Sequence, residues 1–435
     1  MRLPPPRKRD GVRVVVAGGG FAGLYATLYL TRSELPEGSE IVLTDPRSFF
    51  TFTPMLAEVA AGTLGREHVT YPYRVLEHRH GFRFLKARVA GLDREAHVLL
   101  TDQGRLDFDY LILAMGAAPR YLGVQGARGR SLPLTSVDDA VAVRERVIAS
   151  MESALTMGDG VARSRRLTFI VAGAGPAGVE MSSELLHLAN EVLRPYYRGL
   201  PPARVHLVHS GDRILPGWDD DLARAGQAEL GRRGVELHLN TVIERVEHDA
   251  VIAAGPEGEL AWPGGTLIWT AGTAPAPWIE EMGLPTERGA IKVNAFLQAE
   301  ECPRIFAAGD VAVLTDPRSG RPYPRVAPIA ISQGIRAAAN IEGLVLGRTP
   351  ERYQAHHAGK IVSLGNGLAL VDILGIRLKG PVAWWIYRTA YLLKLVGFKN
   401  KIRVLLTLVL NRLFEPDIGT GSPPSPDLER RESTS

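Results

Sequence analysis

Two glycine-rich turns, each lying between an apolar β-branched run and a helix-like segment, constrain the fold of this chain more than any other feature. The first turn, Gly18–Gly23, follows Val12–Val16, and the second, Gly173–Gly178, follows Leu167–Val171. Both have the spacing G-x-G-x-x-G, in which the first glycine allows a tight turn, the second lets the backbone approach a pyrophosphate, and the third lets the helix pack on the strand. Two such units, about 155 residues apart, predict an α/β chain with two dinucleotide-binding units.

Carboxylates at the ends of two later strands indicate that the glycine-rich turns bind a cofactor and are not merely ordinary turns. Asp45 ends the next predicted strand, Glu40–Thr44, where such folds place an acceptor for a ribose hydroxyl. A late strand, Arg304–Ala308, leads into Gly309 and Asp310, which form either a further cofactor contact or an ordinary turn or N-cap. The predicted cofactor-binding residues of the two turns are Gly18, Gly20, Phe21, Ala22, Gly23, Gly173, Gly175, Pro176 and Gly178.

Composition excludes several classes of redox protein. The 435 residues include one cysteine, Cys302, so the chain cannot form an internal disulfide, a redox-active dithiol or a cysteine-ligated cluster. The charge excess of 51 − 47 = +4 is too small to indicate nucleic-acid binding. Residues 1–10 are basic and proline-rich without an apolar stretch, which predicts no secretory signal and a cytosolic chain. Any redox chemistry therefore needs a bound cofactor.

The order of these motifs resembles the two-dinucleotide flavoprotein superfamily. The segments that carry the resemblance are the two turns, Asp45, Leu111–Pro119, Trp269–Gly272 and Phe306–Asp310. Three further segments resemble type II NADH:quinone oxidoreductases, namely Phe50–Leu56, Gly178–Glu180 and Leu395–Lys401. The resemblance implies two Rossmann-like domains, a discontinuous FAD domain with an inserted NAD(P)H domain. It also implies electron transfer from NAD(P)H through FAD to a membrane quinone, without proton pumping.

The resemblance implies roles for individual residues as well. Glu180 would lie between nicotinamide and flavin and orient the incoming ring, although any carboxylate in a first helical turn also gains from the helix dipole. Asp310 would hold the ribityl chain of FAD, and Gln333 is the surviving residue of the quinone segment. Ala271 and Gly272 would leave room for the nicotinamide. The further FAD contacts implied are Val89, Ala114, Gly116 and Gly309.

The second unit departs from the family where the adenosine ribose binds. An acidic residue normally ends the strand that corresponds to Arg204–Val208, whereas this chain continues with His209 and Ser210. Together with Arg213, His209 would accept a 2′-phosphate, which predicts dual or NADPH-shifted specificity. A neutral His209 that bonds ribose or water is the alternative.

The segment of the presumed quinone site departs as well. Within Ala327–Gly334, Pro328 and Ser332 stand where the family has glutamines. A family lysine is also displaced, with Ala358 at its place and Lys360 nearby. Because of these differences, the sequence does not identify the molecule that accepts electrons from the flavin. The alternatives are a soluble NAD(P)H flavoreductase with a non-quinone acceptor and an NAD(P)H-sensing flavoprotein with low turnover.

The C-terminal part predicts helices that face a membrane. Every charged residue from Arg377 to Phe414 is basic, and Lys399–Phe414 has a broad apolar face. Sixteen residues span about 24 Å, less than the ~30 Å hydrocarbon core, so this helix should lie flat on the cytoplasmic face of the cell membrane. Packing on the protein itself or across a dimer is the alternative, and we expect the chain to form a homodimer. The predicted aromatic belt consists of Trp384, Trp385, Tyr387 and Tyr391.

The predicted domain boundaries follow from these motifs. They are 11–125 and 291–348 for the FAD domain, 126–290 for the NAD(P)H domain, 349–415 for the quinone and membrane region, and 416–435 for a disordered tail. The pairs His78 with His80 and His356 with His357 are poor metal sites, because each offers only two imidazoles. We expect them to be solvated loop residues.

Overall fold

The structure, a computed structural model, describes residues 11–355 and 359–414. The predicted tail, the pair His356–His357 and Ala358 lie outside the described residues. Two compact units divide the described part. The first comprises 11–51, 70–118 and 273–355, and the second comprises 52–69, 119–272 and 359–414. The domain boundaries given above stay a prediction.

The regular elements are as follows. The strands are β1 (Arg13–Ala17), β2 (Glu40–Asp45), β3 (Phe49–Thr51), β4 (Thr70–Pro72), β5 (Arg83–Lys86), β6 (Val89–Asp93), β7 (Val98–Thr101), β8 (Gly104–Asp107), β9 (Tyr110–Leu113), β10 (Ala118–Pro119), β11 (Ser131–Pro133), β12 (Thr168–Ala172), β13 (Arg204–Val208), β14 (Val235–His238), β15 (Val242–Val246), β16 (Ala250–Gly255), β17 (Gly258–Pro263), β18 (Thr266–Trp269), β19 (Thr273–Ala274), β20 (Thr286–Glu287), β21 (Ala290–Lys292), β22 (Gln298–Ala299), β23 (Cys302–Ala307), β24 (Ala312–Val313), β25 (Lys360–Gly365), β26 (Leu368–Ile373) and β27 (Ile376–Gly380). The α-helices are α1 (Phe21–Leu30), α2 (Leu56–Ala60), α3 (Arg66–Val69), α4 (Tyr73–His80), α5 (Ala127–Arg130), α6 (Val137–Thr156), α7 (Gly160–Arg166), α8 (Pro176–Leu186), α9 (Asp220–Arg233), α10 (Ala327–Val345), α11 (Pro381–Lys394) and α12 (Phe398–Leu413). A π-helix, His187–Leu193, continues α8.

The first unit is built on a six-stranded sheet in the order β22-β23-β9-β1-β2-β5. Strand β1 pairs in parallel with β2 and β9, and every residue of β1 is buried, as expected for a central strand covered on both faces. Helices α1 and α10 pack closely, since a Cβ added at Gly334 would lie 2.1 Å from the carbonyl oxygen of Ala22. The predicted first strand–turn–helix unit is therefore present.

The second unit repeats this arrangement in a five-stranded sheet ordered β11-β18-β12-β13-β14. Strand β12 pairs in parallel with β13 and β18. Helix α8 is buried continuously from Gly178 to Leu186, so it is a central helix without a solvent face. Helix α6 begins with a capping box: Asp139 N donates to Ser136 Oγ, and Ser136 N donates to the Asp139 carboxylate.

The C-terminal part of the second unit contains the sheet β25-β26-β27 and the helices α11 and α12. Helix α12 confirms the predicted helix almost to the residue. Among the described residues, no helix is both long enough and apolar enough to cross a bilayer. Two expectations are wrong at this level: His78 and His80 lie in α4, outside any loop, and Tyr387 is buried, so it does not belong to an exposed aromatic belt.

Candidate active site

The first glycine-rich turn has the conformation that a nucleotide cradle requires. Gly18 has φ = 100°, and a Cβ there would lie 2.3 Å from the carbonyl oxygen of Ala114, so only glycine fits. A Cβ at Gly23 would lie 1.8 Å from the oxygen of Gly18. Nothing lies within 4 Å of a Cβ built at Gly20, the N-cap of α1. The turn is thus open to a ligand at Gly20, beside the N-terminal amides of α1.

Two side chains hold this turn through Gly19. Its N–H donates to Asp45 Oδ2 at 2.8 Å, and its carbonyl oxygen accepts a bond of 2.7 Å from the Tyr73 hydroxyl. Arg47 donates to Asp45 Oδ1 through its main-chain N–H at 2.8 Å and through Nε at 3.1 Å. Burial raises the pKa of Tyr73 well above its usual value, so its hydroxyl remains a donor. Asp45, predicted as a ribose acceptor, therefore already supports the turn itself.

The late Gly-Asp pair lies against this turn. Strand β23 pairs in parallel with β9 and ends just before Gly309. Gly309 has φ = 76°, and a Cβ there would lie 3.2 Å from the Cβ of Ala22. Gln333 Oε1 accepts a bond of 2.8 Å from Gly309 N, which connects α10 to the same loop. Burial raises the pKa of Asp310.

The remaining residues expected near FAD lie in the same unit. Phe21 begins α1 and meets Phe50 edge to face at 5.1 Å between ring centroids. Val89 is buried at the start of β6. Gly116 has φ = 72° with open space where a Cβ would stand. Ser332, in the segment with replaced glutamines, shares a hydrogen bond of 2.8 Å with the Tyr353 hydroxyl.

The second turn repeats the geometry of the first in the second unit. Gly173 has φ = 100°, and a Cβ there would lie 2.6 Å from Cα of Ala271. A Cβ at Gly178 would lie 1.7 Å from the oxygen of Gly173, whereas a Cβ at Gly175 has open space. The Thr270 hydroxyl is 2.7 Å from the oxygen of Ala172 and 3.0 Å from that of Gly173, so it closes the turn beside Ala271 and Gly272.

His209 is engaged with this second turn. Its Nδ1 accepts a hydrogen bond of 3.4 Å from Ala174 N, and partial burial lowers its pKa. Arg213, the other residue expected to meet a 2′-phosphate, forms an ion pair with Asp220. His209 is therefore neutral at pH 7, and Arg213 already has an anionic partner.

A cluster of three buried glutamates, Glu58, Glu180 and Glu184, lies in the second unit. Glu180 and Glu184 lie on α8, and Glu58 lies on α2. Glu180 lies beyond the first turn of α8, so its expected helix-dipole role there is wrong. Instead, Glu180 Oε1 accepts a bond of 3.0 Å from Ser363 N on β25. Burial raises the pKa of Glu180 and of Glu184 to about 8, with a further contribution from Glu58.

Helix α11 brings a cation and a phenol to these carboxylates. Arg388 Nη1 lies 2.6 Å from Glu58 Oε2, and the Tyr387 hydroxyl donates to Glu58 Oε1 at 3.2 Å. Tyr391 lies beside Tyr387, with 4.5 Å between ring centroids. Because Glu180 and Glu184 are protonated at neutral pH, the cluster can release protons to a reaction that consumes them.

Sequence reasoning missed this cluster apart from Glu180. Arg388 was expected among the lipid-facing cations, yet its side chain is only 12% exposed because it pairs with Glu58. Two features of the sequence could have indicated the cluster: Glu58 lies within the apolar run of α2, and Arg388 lies within the apolar stretch of α11. No local pattern connects two residues 330 positions apart.

Comparisons with known proteins define the class. The family model described as pyridine nucleotide-disulphide oxidoreductase matches residues 12–334, so the chain belongs to that family and is an oxidoreductase.

Named relatives narrow the resemblance within the family. The chain is 28% identical over 419 residues to the "Type II NADH:quinone oxidoreductase Ndh" of Mycobacterium tuberculosis, covering 93% of this chain and 88% of that protein. It is 27% identical over 378 residues to the type II NADH:quinone oxidoreductase of Staphylococcus aureus, covering 86% and 93%. The solved structure of NDH2 from Plasmodium falciparum in complex with NADH has the same fold, with a TM-score of 0.86, 16% identity and coverage of 95% and 100%.

Proposed function

We propose that this chain is a type II NADH:quinone oxidoreductase, which takes electrons from NADH, carries them on FAD and delivers them to a quinone without proton pumping. The observation that carries the proposal is the pair of open glycine cradles, one in each compact unit. Each has a free approach at its second glycine, Gly20 or Gly175, and helix N-terminal amides beside it. The named relatives support quinone as the acceptor.

The first unit fits FAD. The space at Gly20 suits a pyrophosphate, and the late Asp310 loop lies against α1 where it can reach the remainder of the cofactor. The residues that would hold FAD are the turn Gly18–Gly23, Asp45 and Asp310, with Val89, Ala114 and Gly116 around them. Bound FAD supplies a ring that accepts a hydride from a nicotinamide and returns two electrons to an acceptor.

The second unit would hold the pyrophosphate of NADH against Gly175 and the amides of α8. Thr270 fixes the turn, and the small residues Ala271 and Gly272 leave room beside it. Reduction of a quinone to a quinol takes up two electrons and two protons. The protonated Glu180 and Glu184 are suited to supply protons to the acceptor, while Gln333 holds the Gly309 loop.

Nucleotide preference rests on His209 and Arg213. A neutral His209 and a paired Arg213 offer no free positive charge to a 2′-phosphate, so the contacts favour NADH over NADPH. This preference differs from the dual or NADPH-shifted specificity expected from residue types alone. Steady-state kcat/KM for both nucleotides tests it, and an equal or higher value for NADPH would contradict it.

We further propose a peripheral membrane location through α12. Two of its polar side chains contact the protein: Thr407 Oγ1 is 2.9 Å from His68 Nε2, and Asn411 donates to the oxygen of Thr63 at 2.9 Å. Val404 is buried, but most apolar side chains of α12 are exposed, which is unusual for a surface helix. The exposed apolar side chains of α12 are Phe398, Ile402, Leu405, Leu406, Val409 and Leu410. The cytoplasmic side and the homodimer stay predictions.

Rapid mixing tests the electron path. Anaerobic NADH should bleach the flavin absorbance, and a menaquinone analogue should restore it at a rate that sustains turnover. A flavoreductase with another acceptor would bleach equally but reoxidise slowly with the quinone. Slow bleaching with a long-lived charge-transfer band would indicate an NAD(P)H sensor instead.

A further inference from the structure

Two histidines and a glutamate converge on one face of the sheet in the second unit. His206 lies on β13 and pairs in register with Glu236 on β14, and His238 lies two residues further along β14. Because alternate residues of a strand share a face, all three side chains are on the same side. One ligand atom from each lies within 4.8 Å of the other two. We propose that this triad binds a divalent transition-metal ion of the zinc type.

The distances between the ligand atoms fit such an ion. His206 Nδ1 is 3.0 Å from His238 Nε2 and 3.4 Å from Glu236 Oε2. Ligands about 2.0–2.1 Å from a tetrahedral zinc ion are about 3.3 Å from one another. Two of the three separations therefore already match, and a rotation of the Glu236 side chain brings the third into range. Two imidazoles and a carboxylate are a donor set that zinc accepts.

The surroundings orient the ligands and leave an entrance. Arg204 donates to both oxygens of Glu236, through Nε and Nη2, at 2.8 Å each, and each oxygen keeps a lone pair. Ligating carboxylates commonly have such a hydrogen-bonded support. Trp262 packs beside both imidazoles, with ring centroids 5.3 Å away. The Glu236 side chain is 40% exposed, so an ion can enter from solvent.

The same surroundings limit the affinity. Arg204 adds a positive charge beside the ion, and His206 Nε2 is buried without a hydrogen-bond partner among the described residues. A ligating histidine usually donates from its other nitrogen, and loss of that support lowers affinity about 10- to 100-fold. We therefore expect an exchangeable site that follows the concentration of free metal.

Metal binding would stabilise the edge strand of this sheet. Strand β14 is the last strand of the five, and the oxygen of His238 accepts a bond of 2.9 Å from His209 N. An ion that joins His206 to His238 would thus stiffen both β14 and the main chain at His209. Because an ion that binds only the folded chain stabilises it, the melting temperature should rise with free Zn²⁺.

Calorimetric titration with Zn²⁺ alone tests the site in the full-length protein after chelation and dialysis. We expect about one equivalent of Zn²⁺ whose apparent Kd rises at least about tenfold in His238→Gln and in His206→Gln. The matched control is His187→Gln, because His187 lies in an exposed two-ligand pair with Glu191 at 2.9 Å. Ni²⁺ should also quench part of the tryptophan fluorescence through Trp262, and this quenching should disappear in His238→Gln.

The result that overturns the site is Zn²⁺ binding that His238→Gln leaves unchanged, or that His187→Gln weakens equally. His206 is buried, so a substitution there puts folding at risk, whereas His238 lies on the edge strand and is partly exposed. His238→Gln therefore decides the question alone if needed. None of these measurements depends on NADH oxidation, so failure of the metal site and failure of the proposed function are distinguishable.

Discussion

Both main-chain polar groups of Gly19 are hydrogen-bonded: its N–H donates to Asp45, and its carbonyl oxygen accepts from the Tyr73 hydroxyl. A Cβ at Gly19 would lie 2.2 Å from the Tyr73 hydroxyl, so the phenol occupies the space that a side chain would need. Tyr73 is thus a positioning residue: it acts on the first turn through its hydrogen bond with Gly19.

Tyr73→Phe should weaken FAD binding. It leaves the buried oxygen of Gly19 without its donor, at a cost of about 1–2 kcal/mol, which predicts roughly a 5- to 30-fold higher Kd for FAD. Fluorescence titration of the apoprotein with FAD measures this change. Tyr71→Phe is the matched control, because the Tyr71 hydroxyl accepts a bond of 3.0 Å from the Arg79 side chain, away from the main chain of the turn. Equal affinities for the two variants would contradict the role of Tyr73.

Glu184 predicts a pH dependence of stability. Its pKa of about 8 in the folded protein lies above the ordinary 4.5, so the folded chain keeps a proton that the unfolded chain releases. Stability therefore falls as pH rises from about 4.5 to 8, and the loss is complete above that window. The charged groups that face Glu184 are Glu58, Arg388, Arg233 and Glu191.

Glu184→Gln, which cannot ionise, should match the parent protein at pH 5 and exceed it by about 1–3 kcal/mol at pH 8.5. Chemical unfolding at both pH values gives this comparison. Glu191→Gln, at an exposed position, should show no such divergence. A constant difference between Glu184→Gln and the parent across the pH range would rule out the buried, protonated state.

At the scale of elements, the ion pair between Arg388 and Glu58 joins α11 to α2. Glu58 is buried and Arg388 is largely buried, so each compensates the desolvation of the other, and the Tyr387 hydroxyl bonds the same carboxylate. Arg377, by contrast, pairs with Asp219 at 2.8 Å while its side chain is 54% exposed. These two arginines on neighbouring elements allow a direct comparison of buried and exposed pairs.

Arg388→Ala should destabilise the chain by about 3–5 kcal/mol, because it leaves Glu58 buried and unpaired. Arg377→Ala should cost about 0–1 kcal/mol, since solvent screens its pair. Urea unfolding measures both. The double variant Glu58→Leu with Arg388→Met should recover most of the loss. If Arg377→Ala lost as much unfolding free energy as Arg388→Ala, the buried pair would contribute no more to stability than the exposed pair.

At the scale of the whole molecule, the inverted amphipathicity of α12 predicts membrane binding. Leu406→Asp with Leu410→Asp places two charges on the exposed apolar face and should abolish flotation with anionic vesicles. The solution Tm should change little, because both side chains are exposed. Thr407→Val is the matched control on the protein-facing side and should leave flotation intact. Flotation of the double Asp variant would indicate that another surface binds lipid.

Local sequence determined the two cradles and the helix α12. The glycine spacing sets turns whose φ values and close approaches exclude side chains, and the apolar spacing sets an amphipathic helix whatever lies around it. The two strand–turn–helix units were predictable for the same reason, because each is set by residues adjacent in the chain, and the order of the motifs along the chain indicated the family.

Only the tertiary structure decided the ionisation and partners of the polar residues. Residue type left open whether His209 is a cationic or a neutral group, whereas its bond with Ala174 N and the burial that lowers its pKa favour the neutral imidazole. Arg388 was expected at a lipid surface, whereas Glu58 from a distant segment holds it inside. Desolvation and pairing depend on which segments the fold brings together, and no local pattern in the chain encodes that assembly.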